Sequence, residues 1–301
     1  MNRIKKFFND PVYGIIKRVR PIIGDKHIPD RFYLQWLFHY IFGYRLDLKH
    51  PSTFNEKLNW LKLYDRNPLY TQLVDKYEVK QWVANKIGSE YVIPTLGVYE
   101  SVSDIAFDDL PNQFVLKCTH DSGSTIVCKD KESFNFSEAR QKLAHSLELN
   151  HFLEFREWPY KNCRRRIIAE QYVDDENSDA LQDYKWWCFG GVPKYMYFSV
   201  KTDSIYENFY DMDFNPVYFN HGFLRHSPEF QKPAAFEEMK RLSEELSSNI
   251  PFVRCDFYFV KGRVFFGELT FYDWGGMQPF NAQEDDVFLG ELIKLPHKNR
   301  Q

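Results

Sequence analysis

Hydrophobic residues recur along the chain with two spacings, and the change between them separates helical from extended segments. Residues 1 to about 50 have a helical spacing, with basic and aromatic side chains interleaved. The segment Thr53-Phe-Asn-Glu56 has the form of a capping box and predicts the start of a helix. A second helix is predicted from about Leu69 to Lys86, with its end at Gly88.

From Phe114 onward, alternation with a period of two predicts short strands, with two further helices between them. The glycine pair at 190–191 predicts a hairpin turn. The predicted strands cover residues 114–119, 125–130, 165–173, 184–189, 194–200, 252–260 and 264–271, and the predicted helices cover 137 to about 149 and from after 233 to about 248.

The last two predicted strands form a hairpin that carries two carboxylates. A loop of three residues, 261–263, sets Val260 opposite Val264 and therefore Asp256 opposite Glu268. A loop of two residues would slip the pairing by one position and place the two carboxylates on opposite faces of the sheet. The three-residue loop also keeps the apolar residues of both strands on one face, and we therefore expect it.

Opposed carboxylates about 5 Å apart repel each other by roughly 3 kcal/mol at an effective dielectric constant near 20. A divalent cation would remove this repulsion, and hard oxygen ligands suit Mg²⁺ that carries a phosphate. A neighbouring cation would also remove it, and Arg254 lies on the same face of the hairpin. The pattern alone leaves the metal site and the ion-pair cluster equally open.

Two weaker signals precede this hairpin. Lys117 stands in a predicted strand and is followed by the small-residue loop Thr119–Ser124, whose amides and hydroxyls could bind phosphate; the alternative is an ordinary turn. The P-loop spacing GxxxxGK[ST] is absent. The strand end Ala169–Val173 enters an acidic segment, and its backbone could pair with an adenine edge; the alternative is a plain edge strand.

Composition limits the class of protein. Across 301 residues, Lys and Arg total 39 against 42 for Asp and Glu, and this net charge of -3 argues against wholesale nucleic-acid binding. No apolar run approaches the length of a membrane span, and the chain start lacks the apolar core of a secretory signal, so a cytoplasmic protein is expected. The five cysteines contain no CxxC pair, which argues against a disulfide framework or zinc site.

The first twenty residues combine six cations with the apolar pairs 7–8 and 15–16. A basic amphipathic segment of this kind can lie on an anionic membrane surface. The alternative is the solvated face of a helix that packs on the rest of the protein. Both interpretations stay open at this point.

Taken in their order along the chain, these signals resemble the motifs of the ATP-grasp enzymes. The order is a lysine in a strand, a loop of small residues, a strand that ends in glutamate, and then the motifs R-x-D and E-x-polar. More closely, the chain resembles the TupA-like branch, associated with teichuronopeptide and other surface-polysaccharide biosynthesis. The segments that carry the resemblance cover most of residues 50 to 272 and are FNEKLNWLKLYDRNPLYTQLVDKYEVKQWV, IPTLGVYES, LPNQFVLKCTHDSGS, REWPYKN, RIIAEQYV, DYKWWCFGG, PFVRCDFY and FFGELTFY.

The resemblance implies an α+β ATP-grasp fold with a C-terminal mixed or antiparallel sheet. Its expected parts are a helical basic N-terminal region (1–54), the N-terminal part of the ATP-grasp unit (55–113), a small ATP-clamping subdomain (114–175) and a C-terminal metal-binding and catalytic subdomain (176–301).

The resemblance also implies roles for individual residues, with ATP and Mg²⁺ as cofactors. The residues expected to contact ATP are Lys76, Lys117, Ser122, Gly123, Ser124, Glu170, Tyr172, Val173 and Lys185, with Asp174 or Asp175 at the ribose. The residues expected to hold Mg²⁺ are Asp256, Glu268 and Thr270, and those expected to act on the reacting groups are Lys117 and Arg254.

Two departures from the family pattern stand at the end of the hairpin. Thr270 replaces the asparagine of many ATP-grasp enzymes, although the TupA-like branch itself uses E-L-T. A hydroxyl is a weaker magnesium ligand than an amide carbonyl. The run FYDWGG places Asp273 and Trp274 beside the expected metal, where they would reshape the acceptor pocket or reduce activity.

The implied reaction is ATP-dependent amide formation between a carboxylate and an amine through an acylphosphate. The implied substrates are a uronic-acid-containing sugar or polysaccharide precursor and an amine or amino acid, in the synthesis of a capsule, O-antigen or teichuronopeptide-like polymer. A glycosyltransferase is the alternative from another class, because Asp211-Met-Asp213 spells a D-x-D motif, although it fits a turn better. An ATP-dependent sugar kinase and an ATP-binding scaffold are further alternatives on the same fold.

Overall fold

The computed structural model describes residues 28–173, 182–201, 205–219, 221–223, 225 and 229–297, and Asp174, Asp175 and the basic start of the chain lie outside these residues. The helices are α1 (Asp30–Phe42), α2 (Phe54–Tyr64), α3 (Leu69–Val74), α4 (Glu78–Ile87), α5 (Phe136–Glu148), α6 (Phe152–Phe155), α7 (Phe236–Ser247) and α8 (Gln283–Leu292). The strands are β1 (Thr95–Tyr99), β2 (Phe114–Cys118), β3 (Ile126–Cys128), β4 (Ile167–Gln171), β5 (Asp183–Phe189), β6 (Val192–Lys201), β7 (Ile205–Tyr210), β8 (Pro216–Val217), β9 (Phe252–Val260) and β10 (Arg263–Thr270).

The strands form two antiparallel sheets. The smaller sheet has the order β1-β4-β2-β3, and the larger sheet has the order β10-β9-β5-β6-β7-β8. Strand β1 joins the smaller sheet although it precedes position 114, where the sequence predicts the small subdomain to begin. Within the described part of the chain, no helix is both long and apolar enough to cross a membrane.

Each sheet has its own buried core. In β2 the alternate residues Phe114, Leu116 and Cys118 are fully buried and pack with Leu143 of α5. In β5 both Trp186 and Trp187 are fully buried, because one ring faces α7 and the other faces α2. The larger sheet is therefore covered on both faces. β5 and its neighbour β9 are both interior strands of that sheet.

The predicted capping box starts α2 as expected. The Thr53 hydroxyl accepts the amide of Glu56 at 3.1 Å, and the Glu56 carboxylate accepts the amide of Thr53 at 3.2 Å. The strand predicted over 165–173 is also present, but it spans Ile167–Gln171, which leaves Tyr172 and Val173 just beyond its end.

The single helix predicted from Leu69 to Lys86 is wrong, because the chain forms two helices there, α3 and α4. The carboxylate of Asp75 accepts the amides of Tyr77 at 2.8 Å and Glu78 at 3.0 Å, so it starts a new helix instead of continuing the first. Lys76 lies in the break, and its amide donates to the carbonyl of Thr119 at 2.9 Å.

The three-residue loop predicted in the last hairpin is also wrong. The turn contains two residues, Lys261 and Gly262, with φ of 51° and 77°, and Val260 pairs with Arg263 instead of Val264. Asp256 nevertheless pairs with Glu268, as predicted, because the register shifts between Phe266 and Glu268. This β-bulge, with Gly267 as the extra residue, supplies the one-residue shift that the loop does not.

Candidate functional site

Arg254, on β9, brings the carboxylate pair of the hairpin together. Its Nε donates to Oδ1 of Asp256 and its Nη2 donates to Oδ2, each at 2.7 Å. The same Nη2 donates to Oε1 of Glu268 at 3.0 Å, and the Thr270 hydroxyl donates to that oxygen at 3.1 Å. The four residues expected to hold metal or charge therefore lie on one face and contact each other.

Lys185 reaches the same face from the neighbouring strand. It pairs with Asp256 in the register of β5 and β9, and its ammonium lies 2.7 Å from Oδ2 of Asp256 and 3.3 Å from the carboxylate of Asp183. Burial would lower the pKa of Lys185, but these carboxylates, Asp256 foremost, raise it above its usual value. Lys185 therefore stays protonated and supplies a second cation to the cluster.

The charges around Glu268 keep it ionised. Burial would raise the pKa of Glu268, but Arg254 first, then Lys76 and Lys185, outweigh burial and lower the pKa to about 2. Lys76 belongs to the break between α3 and α4, next to the small-residue loop. The charge of Lys76 therefore acts on Glu268 of the carboxylate face.

The donor set fits Mg²⁺ that arrives with a phosphate ligand. Among the residues that the structure describes, no group of three or more His, Cys, Asp and Glu side chains is arranged to hold a metal by itself. Asp256 and Glu268 supply two carboxylates and Thr270 supplies a hydroxyl from one face. Mg²⁺ in nucleotide sites commonly uses one or two carboxylates, with phosphates and water as the remaining ligands.

The small-residue loop after β2 is closed by its own side chains. The Ser124 hydroxyl accepts the amide of Cys118 at 2.8 Å and donates to the carboxylate of Asp121 at 2.6 Å, so it is engaged within the loop. Ser122 and Gly123 are exposed at the tip, and Gly123 has a φ of 99°. The ammonium of Lys76 donates to the carbonyl of Asp121, which attaches the loop to the start of α4.

Glu170 joins two lysines instead of standing alone at a hinge. Its carboxylate lies 2.5 Å from the ammonium of Lys117 and 2.6 Å from that of Lys80. Burial would raise the pKa of Glu170, but the two lysines, Lys117 first, outweigh burial and lower it. The sequence pattern did not single out Lys80, which lies in the first turn of α4, four residues after Lys76.

The predicted adenine hinge borders a small apolar cluster. Val173 packs with Tyr258 against Ile93, Val260 and Phe265, which join the two sheets at this point. The sequence pattern did not single out Tyr258, because the alternation of β9 identifies the face of Tyr258 but not the segment that packs against it. The half-buried Tyr172 stands next to this cluster in the chain.

Asp273 lies behind the carboxylate face and is completely buried. It accepts a hydrogen bond from Nη1 of Arg254, and it also accepts the indole N–H of Trp187 at 3.2 Å. The sequence analysis expected Asp273 beside the metal, but the structure directs its carboxylate to Arg254. Trp274 follows with 38% of its surface exposed and φ of 48°.

The D-x-D sequence at 211–213 forms a turn. Asp211 accepts the amides of Asp213 at 2.9 Å and Asn215 at 2.8 Å, and it accepts the side-chain amide of Asn215 at 3.0 Å. Its carboxylate is therefore engaged in closing the loop between β7 and β8. This geometry supports the turn over a metal motif of a glycosyltransferase.

The solved structures that are similar to the chain at low identity include three ligases or synthetases. D-alanine--D-alanine ligase from Bacillus anthracis, complexed with ATP, is 13% identical, with a TM-score of 0.38 over 66% of this chain and 54% of that chain. The corresponding ligase from Helicobacter pylori is 14% identical, with a TM-score of 0.42 over 81% and 70%. D-cycloserine synthetase DcsG is 15% identical, with a TM-score of 0.41 over 75% and 70%. The chain thus spans about half the length of the first of these, at 54%.

No curated protein matches the chain. The family described as TupA-like ATPgrasp matches residues 56–294, which is most of the 301-residue sequence. The match confirms the resemblance carried by the sequence segments and, with the two antiparallel sheets, the α+β ATP-grasp fold. The chain belongs to the TupA-like ATP-grasp family.

Proposed function

We propose that the protein is an ATP-dependent carboxylate–amine ligase that uses Mg²⁺ and forms an amide through an acylphosphate. The observation that carries this proposal is the face on which Asp256 and Glu268 lie opposite each other, with Arg254 and Lys185 bound to them. The charge of Lys76 acts on Glu268 as well. In this proposal, carboxylates for a phosphate-bound cation and lysines for the phosphates line one cleft, between the carboxylate face of β9 and β10 and the small-residue loop.

Each side chain has a distinct task in this reaction. Bound Mg²⁺ would neutralise charge on the phosphate oxygens. Lys76 and Lys117 hold the phosphates, and Lys117 exchanges Glu170 for a phosphate oxygen when ATP binds. Arg254 stabilises the negative charge that develops when the carboxylate attacks the γ-phosphate and when the amine attacks the acylphosphate. Positioning and charge suffice for phosphoryl transfer, so no covalent protein intermediate is needed.

Binding of ATP is assigned to the remaining residues of the cleft. The exposed tip formed by Ser122 and Gly123 covers the triphosphate with its backbone amides, while Ser124 holds the loop in shape. Tyr172 and Val173 border the adenine together with Tyr258, and Lys80 adds a cation beside Glu170.

The substrates in this proposal follow the family resemblance. The carboxylate belongs to a uronic-acid-containing sugar or polysaccharide precursor, and the nucleophile is an amine or amino acid. The product serves the synthesis of a capsule, O-antigen or teichuronopeptide-like polymer, and the protein itself acts in the cytoplasm. Peripheral contact with the inner membrane surface, through the basic start of the chain, belongs to the same proposal and concerns residues outside the described part.

Calorimetry of ATP and of UDP-sugars, each with and without Mg²⁺, tests the nucleotide site. Wild type is expected to bind ATP in a Mg²⁺-dependent manner, and Asp256→Asn is expected to lose that dependence. Asp211→Asn is the matched control, because Asp211 closes a turn away from the cleft, and it is expected to bind ATP like wild type. Binding of a UDP-sugar without ATP binding would contradict the proposal and favour a glycosyltransferase.

Product analysis then tests the reaction itself. ADP and phosphate release that requires both a uronic acid and an amine, with an amide product, is the expected result. ADP release that needs only a sugar and yields a phosphorylated sugar would identify a kinase instead.

A further inference from the structure

Arg254 is surrounded by three carboxylates, and only two of them belong to the expected metal site. Asp256 and Glu268 accept its hydrogen bonds on the cleft side, at 2.7 and 3.0 Å. Asp273 accepts from Nη1 on the inner side, where its side chain has 0% exposure. The guanidinium therefore lies between a pair of carboxylates that can bind a cation and a third carboxylate that is closed to solvent.

The third carboxylate is held from several directions. The indole of Trp187 donates to Asp273 at 3.2 Å, and the hydroxyl of Tyr197 lies 3.5 Å from both Asp273 and Arg254. The turn after Asp273 is fixed as well, because the ammonium of Lys62 donates to the carbonyl of Gly275. Asp273 consequently stays in place whichever ligand enters the cleft.

The charges decide what happens when a divalent cation binds. Arg254 and Lys185 neutralise Asp256 and Glu268, so the guanidinium itself relieves the repulsion between the two carboxylates. A divalent cation on those oxygens competes with Arg254 and repels it. A buried guanidinium without a counter-ion is strongly disfavoured, so it must retain a carboxylate elsewhere.

We propose that Asp273 is a positioning residue: it retains Arg254 beside the reacting phosphate when Asp256 and Glu268 bind the divalent cation. This inference rests on the proposed function and deepens it. Arg254 then bonds the carboxylate pair directly and stays in the site when that pair binds the metal. The D-W-G-G sequence, which departs from the family pattern, supplies the residue that makes this possible.

The test measures how strongly a divalent cation improves ATP binding, as the ratio of the ATP dissociation constants without and with Mn²⁺. The ratio is expected to fall by about tenfold or more in Asp273→Asn. In that variant Arg254 has no carboxylate outside the metal site to pair with, so its charge repels the bound cation. Asp286→Asn is the matched control, since Asp286 is a buried carboxylate bonded to Asn55, and the ratio is expected to match wild type. Thermal unfolding of both variants monitors folding.

A double variant shows whether Asp273 acts through Arg254. In the Arg254→Met background the further change Asp273→Asn is expected to alter the ratio less than about twofold. It is also expected to raise the unfolding midpoint, because it removes the charge of a buried carboxylate that Arg254→Met leaves unpaired. This comparison remains informative even if the single Asp273→Asn variant folds poorly.

The outcomes separate this inference from the proposed function. A wild-type protein that binds ATP more tightly with Mn²⁺, and an Asp273→Asn variant with the same ratio, would overturn the inference alone. A wild-type protein whose ATP binding ignores Mn²⁺ would overturn the proposed function and this inference with it.

Discussion

Asp75 caps helix α4 and holds the base of the small-residue loop. Its buried carboxylate accepts the amides of Tyr77 and Glu78, a guanidinium nitrogen of Arg166 at 3.0 Å and the hydroxyl of Thr119 at 3.3 Å. One side chain therefore sets the helix start and the position of Lys76, the next residue in the chain.

Asp75→Ala is expected to lower the free energy of unfolding by about 3 kcal/mol, because it removes a helix cap and leaves a buried arginine without one of its partners. Urea denaturation followed by circular dichroism measures the change. Asp47→Ala is the control, since Asp47 also accepts two backbone amides but is exposed, and a loss of about 1 kcal/mol or less is expected. Equal losses in the two variants would contradict this account of Asp75.

His151 is expected to make the stability depend on pH. Burial first, and Lys76 next, lower its pKa to about 4, so the folded state stays neutral at pH values where the unfolded chain takes up a proton. Between pH 6.5 and 4 the unfolded state then binds more protons, and stability falls as the pH falls through this window. The loss between pH 7.5 and 5 is about 2 kcal/mol at most.

His151→Gln is expected to reduce this loss, measured as the difference in unfolding free energy between pH 7.5 and 5. The neighbouring Glu157, whose pKa is raised to about 7 by burial, favours the folded state as the pH falls. The test therefore compares the pH dependence of the variant with that of the wild type. The exposed His50 supplies the control His50→Gln. An unchanged pH dependence in His151→Gln would show that His151 titrates alike in both states.

The residue types of the site could be predicted from the sequence, but not the contacts among all of them. Alternation along β9 and β10 identified Arg254, Asp256 and Glu268, because a strand exposes every second residue to one face. It could not identify Lys80, and it did not show that Asp273, singled out only by its departure from the family pattern, contacts Arg254. Contacts across a cleft depend on tertiary packing, which the hydrophobic periodicity of a single segment does not reveal.

Among the elements, the last hairpin depends on a bulge that the sequence analysis overlooked. A Cβ at Gly267 would lie 3.1 Å from the carbonyl oxygen of Asp256 and 3.3 Å from the ring of Tyr258. The apolar pattern correctly required Asp256 to face Glu268, but it did not indicate how the register is achieved. Turn length and bulge position compensate each other, so a pattern of buried residues fits several combinations of the two.

Gly267→Ala is expected to lower the free energy of unfolding by about 1–2 kcal/mol, because the new methyl group displaces the backbone of Asp256 or the ring of Tyr258. It is also expected to weaken Mg²⁺-dependent ATP binding, since Asp256 moves with its backbone. Chemical denaturation and calorimetry measure the two effects. Gly262→Asn is the control, because the turn position has open space around it and asparagine tolerates positive φ.

At the scale of the whole molecule, two separate cores meet at the cleft. The smaller sheet packs its own cluster around Phe114 and Leu116, and the larger sheet packs the main cluster around Trp186 and Trp187. The strand pattern predicted β2 to β6, β9 and β10 but not β1, β7 or β8, and the C-terminal sheet was expected from the family resemblance. The arrangement of the two cores resulted from long-range packing, for example the contact of Val173 with Ile93 and Phe265.

Separate cores allow the smaller sheet to open and close as a unit, because few apolar contacts need to break between it and the larger sheet. In the proposed function Mg²⁺ and ATP bind between the sheets, so they are expected to slow amide hydrogen exchange in the loop Thr119–Ser124 more than in helix α7, which packs in the main core. General stabilisation by a ligand at 100 times its dissociation constant is about 2.7 kcal/mol, and it would slow exchange through global unfolding equally in both segments. A protection confined to the loop identifies closure over the nucleotide, whereas equal protection in the loop and α7 would argue that ATP binds without moving the two sheets.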